Sequence, residues 1–241
     1  MCIFSRSVND VSTTKIFCSI SGKRQFVVYS MDLDSDDDVA MILPVPAAIG
    51  SSIDFISLEH YSKFFDDMSK GFQSPISAST LSFSRGIGKA LKVETVGAYE
   101  ASFVPTAKDF DRLDERFSLP SRIWSQIKQY EHFGFVVFKL AAGKKSYHPM
   151  AFSFETEIPE RIFFPTMHIH DGEIHKYADY DHTLYYQPDL VLPEVGWFES
   201  RTQAESFMDT ARTRGIVDGS KHIYSRGIHG KFENVDILAR S

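Results

Sequence analysis

Residues 15–45, KIFCSISGKRQFVVYSMDLDSDDDVAMILPV, contain three runs that predict β-strands separated by polar connections. The runs lie at 15–20, 24–31 and 39–45, and they are rich in the β-branched and aromatic residues that strands favour. Strands joined by such short connections commonly pair with their neighbours in the chain. This stretch therefore predicts that the first third of the chain forms a sheet with largely antiparallel pairing.

The second connection in this stretch carries the acidic sequence DLDSDDD at residues 32–38. A calcium-binding EF-hand loop that began at Asp32 would need Gly at its sixth position and Glu at its twelfth. The chain has Asp37 and Leu43 there. We therefore predict an acidic loop exposed to solvent.

Helical features interrupt the predicted strands farther along the chain. Apolar residues recur at helical spacing over 57–70, and capping-box patterns at Thr106 and Thr202 predict two more helix starts. Pro120 precedes a further short apolar repeat, ahead of a strand-like run at 135–141. We therefore predict an α+β fold, a largely antiparallel sheet with three or four interspersed helices.

Length and composition limit the architecture. The 241 residues are 43% hydrophobic, and a chain of this length can bury roughly 70–75% of its unfolded surface. No Pro-rich or Gly/Ser-rich linker divides the chain. We therefore predict a single α+β domain covering residues 1–241.

Charge and hydropathy exclude several function classes. A net charge of −6 and a pI near 5.8 argue against nucleic-acid binding, which needs a basic surface. No run approaches the ~20 apolar residues of a membrane span, and the start of the chain lacks the apolar segment of a secretory signal. We expect a cytoplasmic protein with no nucleic-acid or membrane partner, whose two cysteines, Cys2 and Cys18, are reduced.

The motif most suggestive of function is TMHIHDGEIH at residues 166–175. Its central Asp171-Gly172 pair favours a two-residue type I′ hairpin turn. Residues that oppose each other across such a hairpin point to the same face, within about 5–8 Å of one another. The polar face of this hairpin is predicted to carry His168, His170, Glu173 and His175.

These groups predict a metal site. Imidazole and carboxylate ligands suit a zinc-like divalent transition metal, and Glu173 would ligate the ion or act as general base on a bound water. Asp181 has the parity to add a ligand or to orient a ligating imidazole, whereas His182 is predicted to point to the other face. The first hypothesis is a metal-binding protein, with a metal-assisted hydrolase for a small-molecule ligand as its more specific form. Its metal-binding residues would be His168, His170, His175 and Asp181.

The start of the chain predicts a second chemistry. If Met1 is removed, Cys2 carries both a thiol and a free α-amine, which can act as base for its own nucleophile. The Cys2-Ile3-Phe4 start resembles the opening of N-terminal nucleophile hydrolases. That resemblance implies an amidohydrolase with Cys2 as the catalytic nucleophile, although the Arg and Asp positions of those families have no match here.

A broader resemblance covers residues 2–154 in patches. The Leu-Pro-Val-Pro sequence at 43–46, together with segments at 134–138 and 149–152, follows an order similar to that of an uncharacterised bacterial family. Members of that family open with Cys-Gly-Gly-Phe, and this chain lacks the two glycines after Cys2. The resemblance implies one domain and no particular activity.

A third interpretation needs no chemistry at either motif. A half-buried hairpin ordinarily alternates apolar and polar residues, and a buried cysteine is inert. The chain would then be a non-catalytic binding or scaffold domain, of an oligomeric state that the sequence leaves open.

Overall fold

Strands dominate the structure. The computed structural model describes residues 3–48, 50–73, 100–112, 118–189 and 195–241, with 48% of residues in strands and 12% helical. The strands, numbered in chain order, are β1 (Ile3–Phe4), β2 (Asp10–Ser21), β3 (Arg24–Ser35), β4 (Val39–Val45), β5 (Asp54–Ser57), β6 (Glu100–Val104), β7 (Gly134–Leu140), β8 (Gly143–Glu155), β9 (Arg161–Phe164), β10 (Tyr177–Gln187), β11 (Phe198–Glu199), β12 (Tyr224–Glu233) and β13 (Ile237–Arg240).

The predicted α+β fold with three or four helices is wrong. The described residues contain two α-helices, α1 (Phe64–Lys70) and the single-turn α2 (Ser121–Trp124). The patterns at Thr106 and Thr202 lead into 3-10 turns, because a three- or four-residue apolar spacing fits one such turn as well as a helix, and short helices gain little stability from their own hydrogen bonds. The described 3-10 segments, including these two, span Ala107–Arg112, Lys128–Tyr130, Ala204–Ser206 and Thr210–Thr213.

The strands form three sheets. The largest has the order β11-β12-β10-β2-β3-β8-β5, the second has the order β1-β4-β7-β6, and β13 pairs with β9. Among these described pairs only β10 with β2 is parallel. The strands predicted at 15–20, 24–31 and 39–45 are confirmed as parts of β2, β3 and β4. Because β3 continues through Ser35, only residues 36–38 of the predicted acidic loop form an exposed turn.

The main core lies between the four-stranded and seven-stranded sheets. Every residue of β4 is buried, because alternate side chains of a strand point to opposite faces and both faces of this strand are covered. Met41 faces the main core, where Phe138 of β7 contacts Phe152 of β8 with ring centroids 6.1 Å apart. Ile42 faces a second core beneath α2.

The outer face of the seven-stranded sheet is covered by helical segments. Helix α1 contributes Phe64, Phe65 and Met68 to a third core, and residues 204–223 contribute Met208 among others. No helix among the residues described above is long and apolar enough to cross a membrane.

Candidate functional site

The predicted histidine hairpin does not form. Residues 165–176 connect β9 to β10 without strand pairing, apart from one parallel bridge between Ile169 and Ile3 of β1. The Ile169 carbonyl accepts a hydrogen bond of 3.0 Å from the backbone N–H of Phe4. The connecting segment therefore pairs with the start of the chain instead of folding back on itself.

The side-chain amide of Asn234, between β12 and β13, takes the place of the expected partner strand. Its Oδ1 accepts the backbone N–H of His168 at 2.7 Å. Its Nδ2 donates to the carbonyls of His168 and His175 at 2.8 and 3.0 Å. Because the amide satisfies both backbone groups of His168, that residue needs no strand partner.

The chain bends at residues 170–173, but the predicted type I′ turn is wrong, because Asp171 lacks the positive φ that such a turn needs. Gly172 has a φ of +76°, and the Asp171 carboxylate accepts the Glu173 backbone N–H at 3.0 Å and lies 2.8 Å from Nε2 of His175. Hydrogen bonding to Asp171 raises the pKa of His175. The bend therefore leaves Glu173 and His175 exposed, whereas His168 is buried.

Three imidazoles do come together, although they are not the predicted three. The rings of His168 and His170 lie 5.1 Å apart with planes within 8° of parallel, and those of His168 and His182 lie 5.2 Å apart within 18°. We call these residues the histidine stack. Tyr180 packs against it, with its ring centroid 4.2 Å from that of His168.

The prediction that His182 points away from the other histidines is therefore wrong. His182 is fully buried on the same face of β10 as Tyr180. The predicted parity depended on the hairpin register, and without the hairpin the 165–176 segment crosses the core-facing side of β10.

Asp181 lies on the opposite face of β10 from the histidine stack. Its Oδ2 accepts the backbone N–H of Thr13 at 2.5 Å. Thr13 has a left-handed φ of 55° and sits where β2 shifts register against β3. Asp181 therefore stabilises an irregular backbone in β2, and its other carboxylate oxygen, Oδ1, lies 3.8 Å from Nδ1 of His182.

Burial keeps the histidine stack neutral. Desolvation lowers the pKa of His170 to about 4 and also lowers the pKa values of His168 and His182. The Nε2 atoms of His168 and His170 are buried and have no hydrogen-bond partner within the described part of the chain. A charged imidazolium would lose most of its hydration there, so the neutral form is favoured.

The geometry of the stack differs from that of a zinc site. The ligands of one zinc ion approach it from tetrahedral directions, whereas the planes of His170 and His182 lie within 8° and 18° of the plane of His168. The described ranges contain no group of three or more His, Cys, Asp or Glu side chains arranged to hold a metal ion. Metal binding by the predicted set stays a prediction that would require this segment to rearrange. That set was His168, His170, His175 and Asp181, with Glu173 as base.

A buried carboxylate that the sequence analysis missed anchors the same segment. Asp236 Oδ1 accepts the backbone N–H groups of Thr166 and Met167 at 2.8 and 3.0 Å, and Oδ2 accepts the hydroxyl of Tyr130. Burial raises the pKa of Asp236, although these hydrogen bonds act to lower it. No sequence pattern relates Asp236 or Asn234 to residues so far upstream.

A second polar group, around His222, contains the residue types of a catalytic triad without its geometry. Ser200 Oγ and Glu199 Oε1 approach the same nitrogen, Nδ1 of His222, at 3.4 and 3.7 Å. A triad needs the nucleophile and the carboxylate on different ring nitrogens. Ser200 Oγ instead donates to the Thr202 carbonyl at 2.7 Å, so this group stabilises the local backbone.

The two cysteines supply no catalytic group in the described structure. Cys2 lies outside the described residues, so the N-terminal nucleophile hypothesis stays a prediction. Cys18 is free and buried in β2, where desolvation raises the pKa of its thiol. A buried thiol with a raised pKa is a poor nucleophile.

The open edge of β12 is a further feature that the sequence analysis did not find. Strand β10 pairs with β12 along its whole length, from Tyr177 with Glu233 to Tyr186 with Tyr224. On the other side, β11 pairs only with the first two residues of β12, Tyr224 and Ser225. The remainder of β12 is therefore an edge strand within the described structure, and most of it is exposed.

Hydrogen bonds at the two ends of β12 show which backbone groups point outward. Asn234 donates its N–H to Lys176 on the β10 side at 2.9 Å, whereas the Ile223 carbonyl accepts from Ser200 on the β11 side at 2.7 Å. Alternate residues of a paired strand direct their N–H and C=O groups to opposite sides. The outward-facing residues beyond Ser225 are therefore Gly227, His229, Lys231 and Glu233.

In three of these four residues, neither outward backbone group has a partner among the described residues. The Glu233 carbonyl is already used, because it accepts the Tyr180 hydroxyl at 3.2 Å and the Val235 N–H at 3.1 Å. The described residues supply no hydrogen-bond partner for the outward groups of the others. We call this set, Gly227, His229 and Lys231, the open edge.

Comparison with known proteins assigns no function. No family model matches the chain. A chain from the crystal structure of the caspase-8/P35 complex matches over 95% of this chain and 96% of its own length, with 13% sequence identity and a TM-score of 0.45. We base no argument on a similarity this low, and the family resemblances noted in the sequence stay predictions.

Proposed function

We propose that this protein is a non-catalytic binding domain that accepts an extended polypeptide segment as an additional strand beside β12. The observation that supports this proposal is the open edge, three alternate exposed residues whose outward N–H and C=O groups have no partner within the described ranges. Strand addition to a sheet edge derives its affinity from such main-chain groups.

Side chains around the open edge are compatible with an incoming strand. Phe232 is 47% exposed beside it and offers apolar surface to a neighbouring side chain. His229 and Lys231 lie opposite Asp181 and Asp179 of β10. These carboxylates offset the positive charge that would otherwise discourage pairing at an edge lysine.

Binding of a peptide with the sequence of residues 224–233, YSRGIHGKFE, tests the proposal. We expect the peptide to bind and to perturb the backbone amide resonances of the open edge in an NMR titration. The same peptide carrying an N-methyl group on its histidine should bind at least tenfold more weakly, because it has lost a main-chain donor.

Two protein variants with the same side-chain loss provide the matched comparison. His229→Pro removes an outward N–H that β10 does not use, so the fold should persist while peptide binding falls at least tenfold. His229→Ala retains that N–H and should bind like the parent protein. Equal binding by both variants, or no resonance shifts at millimolar peptide, would show that the edge does not accept a strand.

A further inference from the structure

We propose that the strand accepted by the open edge is β12 of a second copy of this chain, paired antiparallel about a two-fold axis at His229. This inference rests on the proposed function and names its partner. The resulting dimer would join two seven-stranded sheets into one continuous sheet. Two-fold dimers are the commonest symmetric assemblies, and their interfaces bring the same surface of both subunits together.

The open-edge residues, which are unpaired within the described structure, are arranged symmetrically about His229. Gly227 and Lys231 lie at equal distances in sequence from His229, and the open edge ends on one side at Ser225, paired with β11, and on the other at Glu233, whose carbonyl is already used. An antiparallel pair centred on His229 places Gly227 opposite Lys231 of the second copy, and the reverse. The outward N–H and C=O groups of Gly227, His229 and Lys231 then all have partners, whereas the outward N–H of Glu233 gains none.

The side chains of the two copies also fit together in that register. Arg226 lies opposite the half-exposed Phe232 of the second copy, twice by symmetry, so each guanidinium can lie against an aromatic ring. Ile228 lies opposite Gly230, and Lys231 opposite Gly227. Both larger side chains therefore meet a residue without a side chain, and no two lysines oppose each other.

The His229 ring lies over Gly227 on the exposed face of β12. A Cβ atom at Gly227 would lie 3.1 Å from that ring, so the ring would have to shift by a few tenths of an ångström to admit it. In the two-fold register the Lys231 side chain of the second copy lies opposite Gly227 and therefore meets the His229 ring.

Sedimentation equilibrium of the full chain over a range of concentrations tests the inference. We expect reversible association to twice the 27.4 kDa chain mass. His229→Pro should sediment as a monomer, whereas His229→Ala should still dimerise. Arg226→Glu should weaken the dimer about tenfold, the change expected when a favourable contact with Phe232 is lost in both halves of the interface.

The outcomes separate this inference from the proposed function. A chain that stays monomeric at all concentrations but still binds the 224–233 peptide overturns the dimer and leaves strand addition intact. A dimer that persists unchanged in His229→Pro shows that copies associate through another surface. If His229→Pro loses its native circular dichroism spectrum, hydrogen exchange of the three open-edge amides in the parent chain tests the dimer instead. Dimerisation must slow that hydrogen exchange as the protein concentration rises.

Discussion

Lowering the pH from 7 to 5 is expected to reduce the unfolding free energy of this protein by about 4–6 kcal/mol. The cause is the histidine stack. Its three imidazoles are buried and held neutral, so the pKa of each is lower in the folded protein than in the unfolded chain. A loss of this size is comparable with the whole stability of many domains.

The sign of the effect follows from which state takes up protons. Histidines in the unfolded chain are protonated as the pH falls through about 6.5, whereas His170 resists protonation in the folded protein until about pH 4. Between these values each buried histidine favours the unfolded chain by about 1.4 kcal/mol per pH unit. The buried histidines therefore cost the protein no stability above about pH 6.5, and the unfolding free energy falls progressively as the pH drops below that value. Asp236 opposes this trend, because its raised pKa favours proton uptake by the folded protein.

Urea denaturation at a series of pH values measures this dependence. His170→Gln removes one titrating group from the edge of the stack and should reduce the slope of unfolding free energy against pH by about one third. His60→Gln, which removes an exposed imidazole in the segment before α1, is the control, because it takes one histidine from the chain and leaves the stack intact. Parent stability that is constant or rising from pH 7 to 5 would contradict the assignment of three buried neutral histidines.

Replacing Asp236 with Ala should destabilise the protein by about 3–5 kcal/mol. The substitution leaves the backbone N–H groups of Thr166 and Met167 and the hydroxyl of Tyr130 without their acceptor. Each unsatisfied buried group costs about 1–3 kcal/mol. The loss should also free the 165–176 segment, which places two of the three stacked histidines.

Asp236→Asn is the matched control. One amide oxygen can still accept both backbone N–H groups, and the amide NH2 can donate to the Tyr130 oxygen. We therefore expect less than half of the loss seen for Asp236→Ala in urea denaturation at pH 7. Hydrogen exchange at Thr166 and Met167 should accelerate in the alanine variant first. A change below about 1 kcal/mol in that variant would show that water replaces the carboxylate.

The strands could be predicted from the sequence where local pattern and environment agree. Residues 39–45 form β4 with the predicted bounds, because a short apolar run rich in β-branched residues suits a strand covered on both faces. The helices could not be predicted in the same way. Apolar spacing near Thr106 and Thr202 describes which side of a turn is buried, and it does not determine how many turns follow.

The candidate site depended on partners distant in the chain. Asp171-Gly172 marks a bend and not the predicted type I′ turn, and the pairing of its flanks was decided by Asn234, a residue 66 positions beyond His168. A side-chain amide that replaces a strand leaves no periodic signal in the sequence. The open edge could not be predicted for a related reason. A strand is an edge strand when no other strand lies beside it, and the sequence of β12 does not show which strands will be its neighbours.

The parallel pairing of β10 with β2 has a consequence for synthesis of the chain. Strand β2 lies inside the seven-stranded sheet, yet one of its two neighbours is separated from it by 168 residues, as the Thr13 to Asp181 hydrogen bond shows. At ribosomal rates of about 5–20 residues per second, β10 follows β2 by on the order of 10–30 seconds. During that interval one side of β2 has no partner strand in the nascent chain. Chaperones that bind exposed strands therefore have the longest time to bind at β2.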